Sequence, residues 1–397
     1  MVIVDEMRLK LLEGQIGLPG IGAVRQNTAG LLPYAVVDEA GREIGVFSVF
    51  LRDLVLTDMS PLTVRSYGND LLRWWRVLEL VGVPWDQAGR LEVEVMVGWM
   101  RSAVNPQRRG SGARLMNPRT GKRPLAEGYA PATINHALAV LASFYAFHAR
   151  FGRGPVMNPV PESPGRRARL AHRSPLEETP GMRRAPLRQK AAVLAPRSIP
   201  DDLVDELIGA LRTSRDRALV SLYLSSGARA SELLGVRGDQ VDWARQRVWV
   251  VSKGSRTLEP VPASPESLQH LAAYFHEHGT PGSGEPIWRA LHGKPRPLNY
   301  HAARRVLQRA NTALGTDWSL HDLRHTTIDR MVTDPNLTLP EVMAVTRHRR
   351  VSSMAPYLRP RIDEVFQKVQ EHFAAPRPEP KLTPGYDADD FTVVFGG

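Results

Sequence analysis

Arg229, Lys253, His321, Arg324, His348 and Tyr357 occur in this order in the second half of the 397-residue chain. Together these residue types can break and rejoin a phosphodiester. Cations gather around one phosphate, and a phenol attacks it. An arginine fork matches two phosphate oxygens, and a histidine exchanges a proton near neutral pH. A phenol has an ordinary pKa of about 10, so attack near pH 7 requires a base or strong local positive charge. The cluster offers both.

Each residue sits in a local pattern that can place it. Ser319-Leu320-His321-Asp322-Leu323-Arg324-His325-Thr326 opens with Ser-x-x-Asp, a helix start in which Ser319 caps and Asp322 lies in the first turn. His321 and Arg324, three apart, then share a face. Thr346-Arg347-His348-Arg349-Arg350 leads through Val351-Ser352-Ser353-Met354-Ala355-Pro356 to Tyr357, nine positions after His348. Upstream, Ser225-Ser226-Gly227-Ala228-Arg229-Ala230-Ser231-Glu232 puts Arg229 after a glycine turn, entering a helix. Lys253 ends the β-rich run Val248-Trp249-Val250-Val251 beside Gly254, which holds its amine at a hairpin tip.

Taken singly, these residues have plainer readings. An arginine at a helix start or a lysine at a turn is usually a solvated cation, and a lone tyrosine is usually a half-buried aromatic. His321 and His325 have the i, i+4 spacing of zinc ligands, but a metalloprotease helix carries Glu after its first histidine, and here Asp322 follows. His325 reads better as a helix-packing residue. With no cysteine and no GxxxxGK[ST] loop, the sequence calls for neither metal nor nucleotide cofactor.

The set Gly227-Ala228-Arg229-Ala230-Ser231-Glu232-Leu233, the hairpin Lys253, His321-Asp322-Leu323-Arg324-His325, and His348 nine before Tyr357 resembles the tyrosine recombinase, or phage integrase, family of site-specific DNA recombinases over roughly residues 45–375. The resemblance implies that Tyr357 attacks a backbone phosphorus, leaving a 3′-phosphotyrosyl link and a free 5′-hydroxyl. Arg229 and Arg324 then clamp the non-bridging oxygens, Lys253 protonates the departing oxygen, His321 takes the tyrosine proton and His348 hydrogen-bonds the phosphate. Glu232 buttresses the cluster. The link conserves the energy of the broken bond, so no ATP is needed. Arg347 stands where the family usually has glycine, so the backbone there is expected not to need a glycine-only conformation. Pro356 pushes Ala355 out of the helical region, so either it starts a short helix carrying Tyr357 or the tyrosine lies on a kinked, mobile segment.

The elements needed to position these residues can be read from the period of the apolar positions. The fold class is mainly α with a small antiparallel β-sheet (α+β), and the resemblance implies a helical core-binding domain followed by a tyrosine-recombinase catalytic domain. Residues 1–45, Gly-rich and β-like at 34–37 and 45–47, suggest an N-terminal arm. Residues 46–161 form the helical domain, with one helix opened by Ser60-Pro61, one over 91–103 and one opened by Pro131. Between the last two lies the stretch 105–124, with Arg108, Arg109, Arg114, Arg119, Lys122 and Arg123 and no acid, read as a phosphate-contacting loop that is disordered when free. Residues 162–198, with nine Lys or Arg against three Glu and including Arg166, Arg167 and Arg169, read as a basic, Pro-rich linker. The catalytic domain spans 199–375, and 376–397 form a tail whose alternating apolar end suits docking.

A balance of 52 Lys+Arg against 41 Asp+Glu, net +11, favours a polyanionic partner. The start of the chain lacks signal-peptide order and no apolar run reaches 18 residues, so no membrane is expected and the setting is the bacterial cytoplasm, nucleoid-associated when bound. By resemblance the partner is double-stranded DNA with an inverted-repeat site, met by a homotetramer in the synapse, with accessory DNA-bending or directionality proteins. The stretches Val83-Pro84-Trp85-Asp86 and 151–155 look like recombinases of bacterial mobile elements. The rival readings are a type IB topoisomerase, a non-catalytic DNA-binding protein on the same fold, and a zinc hydrolase built on His321 and His325.

Overall fold

The computed structural model describes residues 6–28, 30–104, 116–123, 128–163, 184–191, 196–252, 255–294, 296–358 and 362–375. The chain divides into two compact units, residues 1–192 and 193–397. Lys253, Arg108, Arg109, Arg114, Arg166, Arg167, Arg169 and the tail 376–397 lie outside the described residues.

The first unit contains α1 (Glu6–Leu12), β1 (Ala23–Gln26), β2 (Tyr34–Val37), α2 (Gly45–Leu56), α3 (Pro61–Val81), α4 (Arg90–Ser102) and α5 (Pro131–Ala149). The longest helix, α3, begins as its sequence requires. The Ser60 hydroxyl accepts the Thr63 N–H at 3.2 Å, Pro61 takes the first helical position, and Gly82 closes the helix in the left-handed region at φ 65°. Its buried face, including Val64, Leu71, Trp74 and Leu78, meets Phe50, Met96, Leu141 and Phe144 in one core. β1 and β2 pair antiparallel, Ala23 opposite Val37, and lie on α3 where Gly68 leaves room for Val24 and Val36. Leu11, Leu32, Ala35 and Val36 join the same core, so residues 6–44 pack with the helices that follow.

Gly45-Val46-Phe47, expected to be β-like, instead begins a helix. Three residues are too few to show a period, but Phe47, Phe50, Leu51 and Leu54 repeat at helical spacing and are all buried. The described part of the basic loop, 116–123, is a tight turn. Asn117 Oδ1 accepts the N–H groups of Arg119 (2.9 Å) and Thr120 (3.2 Å), and Gly121 supplies φ 63°. Arg119, Lys122 and Arg123 are exposed on it. The described ends of the expected linker are also anchored. Asn135 and Gln189 exchange hydrogen bonds of 3.0 and 2.8 Å, and Leu187 packs on the first core.

The second unit runs α6 (Asp201–Ala210), α7 (Ser214–Ser226), α8 (Ala230–Leu234), β3 (Val241–Asp242), β4 (Arg247–Val251), β5 (Leu258–Pro262), α9 (Pro265–His278), α10 (Tyr300–Leu314), α11 (Leu320–Thr333), α12 (Leu339–Thr346), a 3-10 turn at Val351–Ser353, and α13 (Ile362–Ala374). The strands form one antiparallel sheet in the order β3-β4-β5, and Lys253 falls between β4 and β5 in the sequence. The molecule is therefore mostly helical, with two small antiparallel sheets rather than one. The core is built from Leu219, Leu222, Tyr223, Leu271, Tyr274 and Trp288, with α7 packed against both α9 and α11. Among the described residues no helix is long and apolar enough to cross a membrane.

Candidate active site

Five of the six residues expected to act together are described, and each is placed by an identifiable local device. Arg229 caps α8, a five-residue helix too short to stand alone. Tertiary ties hold it. Gly227, left-handed at φ 56°, turns the chain out of α7, and the buried indole N–H of Trp288 donates to Leu233 O at 2.8 Å. Glu232, 2% exposed, accepts the Arg229 backbone N–H at 2.8 Å and its Nη1 at 2.9 Å. The carboxylate thus fixes both ends of one arginine.

Helix α11 starts as its sequence predicts. Ser319 caps it, and Asp322 reaches back to the Ser319 N–H at 2.8 Å. Arg197 binds Asp322 at 2.5 Å and Asp317 at 2.9 Å, and Ile199 N–H donates to Thr326 Oγ1 at 2.9 Å. So anchored, α11 delivers Arg324 into the interior, 4% exposed. Its guanidinium donates to Gly227 O and, at 2.7 Å, to Thr346 O. These carbonyls belong to the C-terminal ends of α7 and α12, where helices leave acceptors unsatisfied and the dipole is negative. Burial, then Arg229 and Arg347, lowers its pKa to about 10, so it remains charged at neutral pH.

His348 stands beside it. Thr346 Oγ1 donates to Val342 O at 2.6 Å and so accepts from His348 Nδ1 at 2.6 Å, which assigns the ring proton to Nδ1 and turns the Nε2 lone pair to Arg324 Nη2 at 3.3 Å. Burial and the three arginines hold this histidine down at about 4. Tyr357 follows the 3-10 turn on a further turn, its N–H bonded to Met354 O at 2.8 Å, and its ring packs with Ile328, Val342 and Met354. Pro356 therefore lies within a turn and does not open a helix. Burial pushes the Tyr357 phenol up to about 12, against the lowering pull of Arg324.

Two features differ from the sequence expectation. Arg347 takes φ 57°, ψ 46°, the left-handed C-cap of α12, so the backbone does adopt the conformation that glycine favours. Its side chain shows what replaces glycine's ease. The guanidinium donates to Glu232 Oε2 at 2.7 Å and to Val345 O at 2.9 Å, with the side chain 6% exposed. Second, it is His325 rather than His321 that meets Tyr357: His325 Nδ1 is hydrogen-bonded to the Tyr357 hydroxyl. His321 is exposed and stacks edge-on against His325, ring centroids 4.1 Å apart, with no hydrogen bond to Tyr357 among the described residues. The i, i+4 spacing puts both rings on one face, and it is the only sequence signal pointing to His325. Among the described residues no cluster of three potential metal ligands surrounds this pair.

An open groove of about 530 Å³ fronts the cluster, lined by Arg229, Arg347, His348, Arg349, Arg350 and Glu259. Cations outnumber the single acid, so it suits a phosphate backbone.

Two predictions arise here. Arg347→Gly relieves a left-handed backbone that costs roughly 1 kcal/mol but removes a charge-assisted hydrogen bond from Glu232. We expect little change in Tm and roughly a tenfold loss of DNA cleavage. Undiminished cleavage would show that Glu232 needs only Arg229. The second prediction concerns pH. His148, fully buried, is held below its ordinary pKa by burial, as are His321, His325 (to about 4) and His348 (to about 4). The unfolded chain therefore binds more protons between the unfolded value of about 6.5 and about 4. Stability from these rings is complete above that window and is lost as pH falls through it. Tm at fixed salt should be level from pH 7 to 8 and decline below 6.5, and a level Tm down to pH 5 would contradict this account.

Comparison with known proteins places this geometry. Residues 197–363 match the model of the phage integrase family. A tyrosine recombinase of Synechococcus elongatus is 26% identical over 82% of this chain and 92% of its own length, and transposase A from transposon Tn554 of Staphylococcus aureus is 22% identical over 75% and 82%. The fold is shared with the Tn1549 transposon integrase in complex with circular intermediate DNA (TM-score 0.53, 11% identity, 82% of this chain and 98% of that one) and with a lambda integrase dimer bound to a core site (TM-score 0.53, 13%, 80% and 95%). The chain thus shares the fold of these integrases. Residues 197–363 match the phage integrase family, and most of the chain is similar to a tyrosine recombinase.

Proposed function

We propose that this chain is a site-specific DNA recombinase of the integrase or transposase kind that cleaves and rejoins double-stranded DNA through a 3′-phosphotyrosyl intermediate, without metal or ATP. The observation that carries the reading is the convergence of Arg229, Arg324, His348 and Tyr357, from four separate segments, with Arg229 and His348 lining one cationic groove. In this reading Tyr357 forms the new O–P bond as the O5′–P bond breaks, and Arg229 and Arg324 stabilise charge building on the non-bridging oxygens. Lys253, between β4 and β5 in the sequence, is the acid for the departing 5′-oxygen. His348 contacts the phosphate once the anion offsets the arginines that keep it neutral. Glu232 orients Arg229. Arg119, Lys122 and Arg123, with the basic residues outside the described segments, supply backbone contacts that position rather than specify.

Further proposals are an inverted-repeat site, a homotetrameric synapse, accessory DNA-bending or directionality proteins, and action in the bacterial cytoplasm at the nucleoid. One neighbour in fold is a lambda integrase tetramer bound to a Holliday junction, which supports the tetramer (TM-score 0.51). The test is to incubate the protein with sheared genomic DNA from its source, denature with detergent, and sequence the DNA that remains attached. Attachment mapping to one inverted repeat is expected. Attachment without any defined site would favour a topoisomerase, and its absence, with binding intact, a DNA-binding protein.

A further inference from the structure

We propose that Arg197, in the segment before α6, is a positioning residue for Arg324. The inference rests on the recombinase reading above and adds one residue to it. The Arg197 guanidinium bridges two carboxylates from different elements. Nη1 donates to Asp317 Oδ1 at 2.9 Å, in the loop before α11, and Nη2 donates to Asp322 Oδ2 at 2.5 Å, in the first turn of α11. Its central carbon lies over the Trp318 ring, 5.0 Å from the centroid. Two residues on, Ile199 N–H donates to Thr326 Oγ1 at 2.9 Å, and that hydroxyl donates to Asp322 O at 2.8 Å. Asp322 and Thr326, four apart, share a face of α11. Arg197 and Ile199 brace that face. Arg324, two positions after Asp322, points about 200° round the helix from it, toward Gly227 O and Thr346 O.

Arg197 fixes where the helix starts because the charge it meets is buried. Asp322 is 8% exposed, and its Oδ2 also accepts the Ser319 N–H and hydroxyl, each at 2.8 Å. A carboxylate this enclosed needs a cation, and the Arg197 ion pair supplies it. The loop is held from its other side, where Asn311 bonds the Trp318 carbonyl at 2.7 Å and N–H at 3.1 Å. Without Arg197 the start of α11 loses its tie to that loop, and any shift carries Arg324 with it. Arg324 tolerates little movement. Its guanidinium is committed to Gly227 O, Thr346 O and His348 Nε2, so a displaced helix turns its remaining N–H groups away from the phosphate. Misplacing such a group by about 1 Å can cost about 10²-fold in rate. Lysine is an incomplete substitute at 197, since an ammonium has no planar fork to span two carboxylates while lying on an indole.

The experiment uses the full chain and a nicked duplex of the site recovered by attachment sequencing, well below the Tm of each variant. It measures DNA affinity and the single-turnover rate of covalent attachment at saturating DNA. Arg197→Leu keeps a stem on Trp318 and removes the charge. Its rate should fall at least about tenfold while its affinity stays within about twofold of wild type. Arg197→Lys should lose less. Asp322→Asn keeps the cap acceptor and removes the ion pair, so it should match Arg197→Leu, and it serves in its place if that variant folds poorly. In an Arg324→Lys background, Arg197→Leu should slow attachment by no more than about a further twofold, because the group it positions is already gone. A lower Tm with an unchanged rate would make the ion pair merely structural, and weaker affinity with an unchanged rate would make Arg197 a DNA contact. A full tenfold loss in the Arg324→Lys background would place its effect elsewhere. Each of these three results overturns the inference and leaves the recombinase reading intact. Attachment surviving in Tyr357→Phe would instead overturn the recombinase reading itself.

Discussion

Replacing Tyr357 by phenylalanine is expected to abolish covalent attachment to DNA while leaving DNA binding and folding close to wild type. Losing a nucleophile removes roughly 10⁴-fold or more of an enzyme's rate, because the remaining groups have nothing to deliver to the reacting atom. The structural change is small by comparison. The ring keeps its packing with Ile328, Val342 and Met354, and only the hydroxyl bonded to His325 disappears. One neutral hydrogen bond is worth about 1 kcal/mol net, and His325 remains partly solvated. The variant should therefore shift DNA with an affinity within a few-fold of wild type and yield no protein–DNA adduct after denaturation. Adducts that persist would place the nucleophile on another residue.

Much of this site could be read from the sequence because its devices are local. Ser319 and Asp322 announce α11, Gly227 announces the turn before Arg229, and the apolar periods of α3 and α5 need no partner to be seen. What could not be read depends on contacts far along the chain. The glycine usual in the family at Arg347 hinted at a left-handed backbone, but the arginine itself argued against one. The conformation is set by how α12 ends, and it is held by Glu232, 115 positions away. Likewise the sequence favours His321 and reads His325 as a packing residue, and only the turn bearing Tyr357, 32 positions on, shows which of them the tyrosine meets. The helix at Gly45–Leu56 was hidden for a simpler reason, since its first three residues are too few to show either period.

Glu232 links these points. It is 2% exposed and carries one negative charge against two guanidinium groups, Arg229 on one oxygen and Arg347 on the other, with Arg324 close enough to feel it. A carboxylate buried between two cations is held by them, but it does not cancel both. The surplus positive charge faces the groove, where a phosphate is the ligand that completes it.

Arg324→Lys separates the structural and chemical parts of that surplus charge, and it should cost more activity than Arg347→Gly. Lysine keeps the charge and reaches one of the two carbonyls that Arg324 ties, Gly227 O or Thr346 O, but not both. An unsatisfied buried carbonyl costs about 1–3 kcal/mol, so Tm should fall by several degrees without loss of the fold. In the transition state the loss is larger in its consequences. Of the five guanidinium N–H groups, those on Gly227 O, Thr346 O and His348 Nε2 leave Nε–H and one on Nη1 to meet phosphate oxygens, a planar presentation that an ammonium cannot copy. Removing a donor of this kind lowers turnover by about 10²–10³-fold. The discriminating measurement is the single-turnover cleavage rate at saturating DNA, taken well below the variant's Tm. A rate within threefold of wild type would mean that charge alone suffices at this position, and that the phosphate clamp lies with Arg229 and the groove arginines rather than with Arg324.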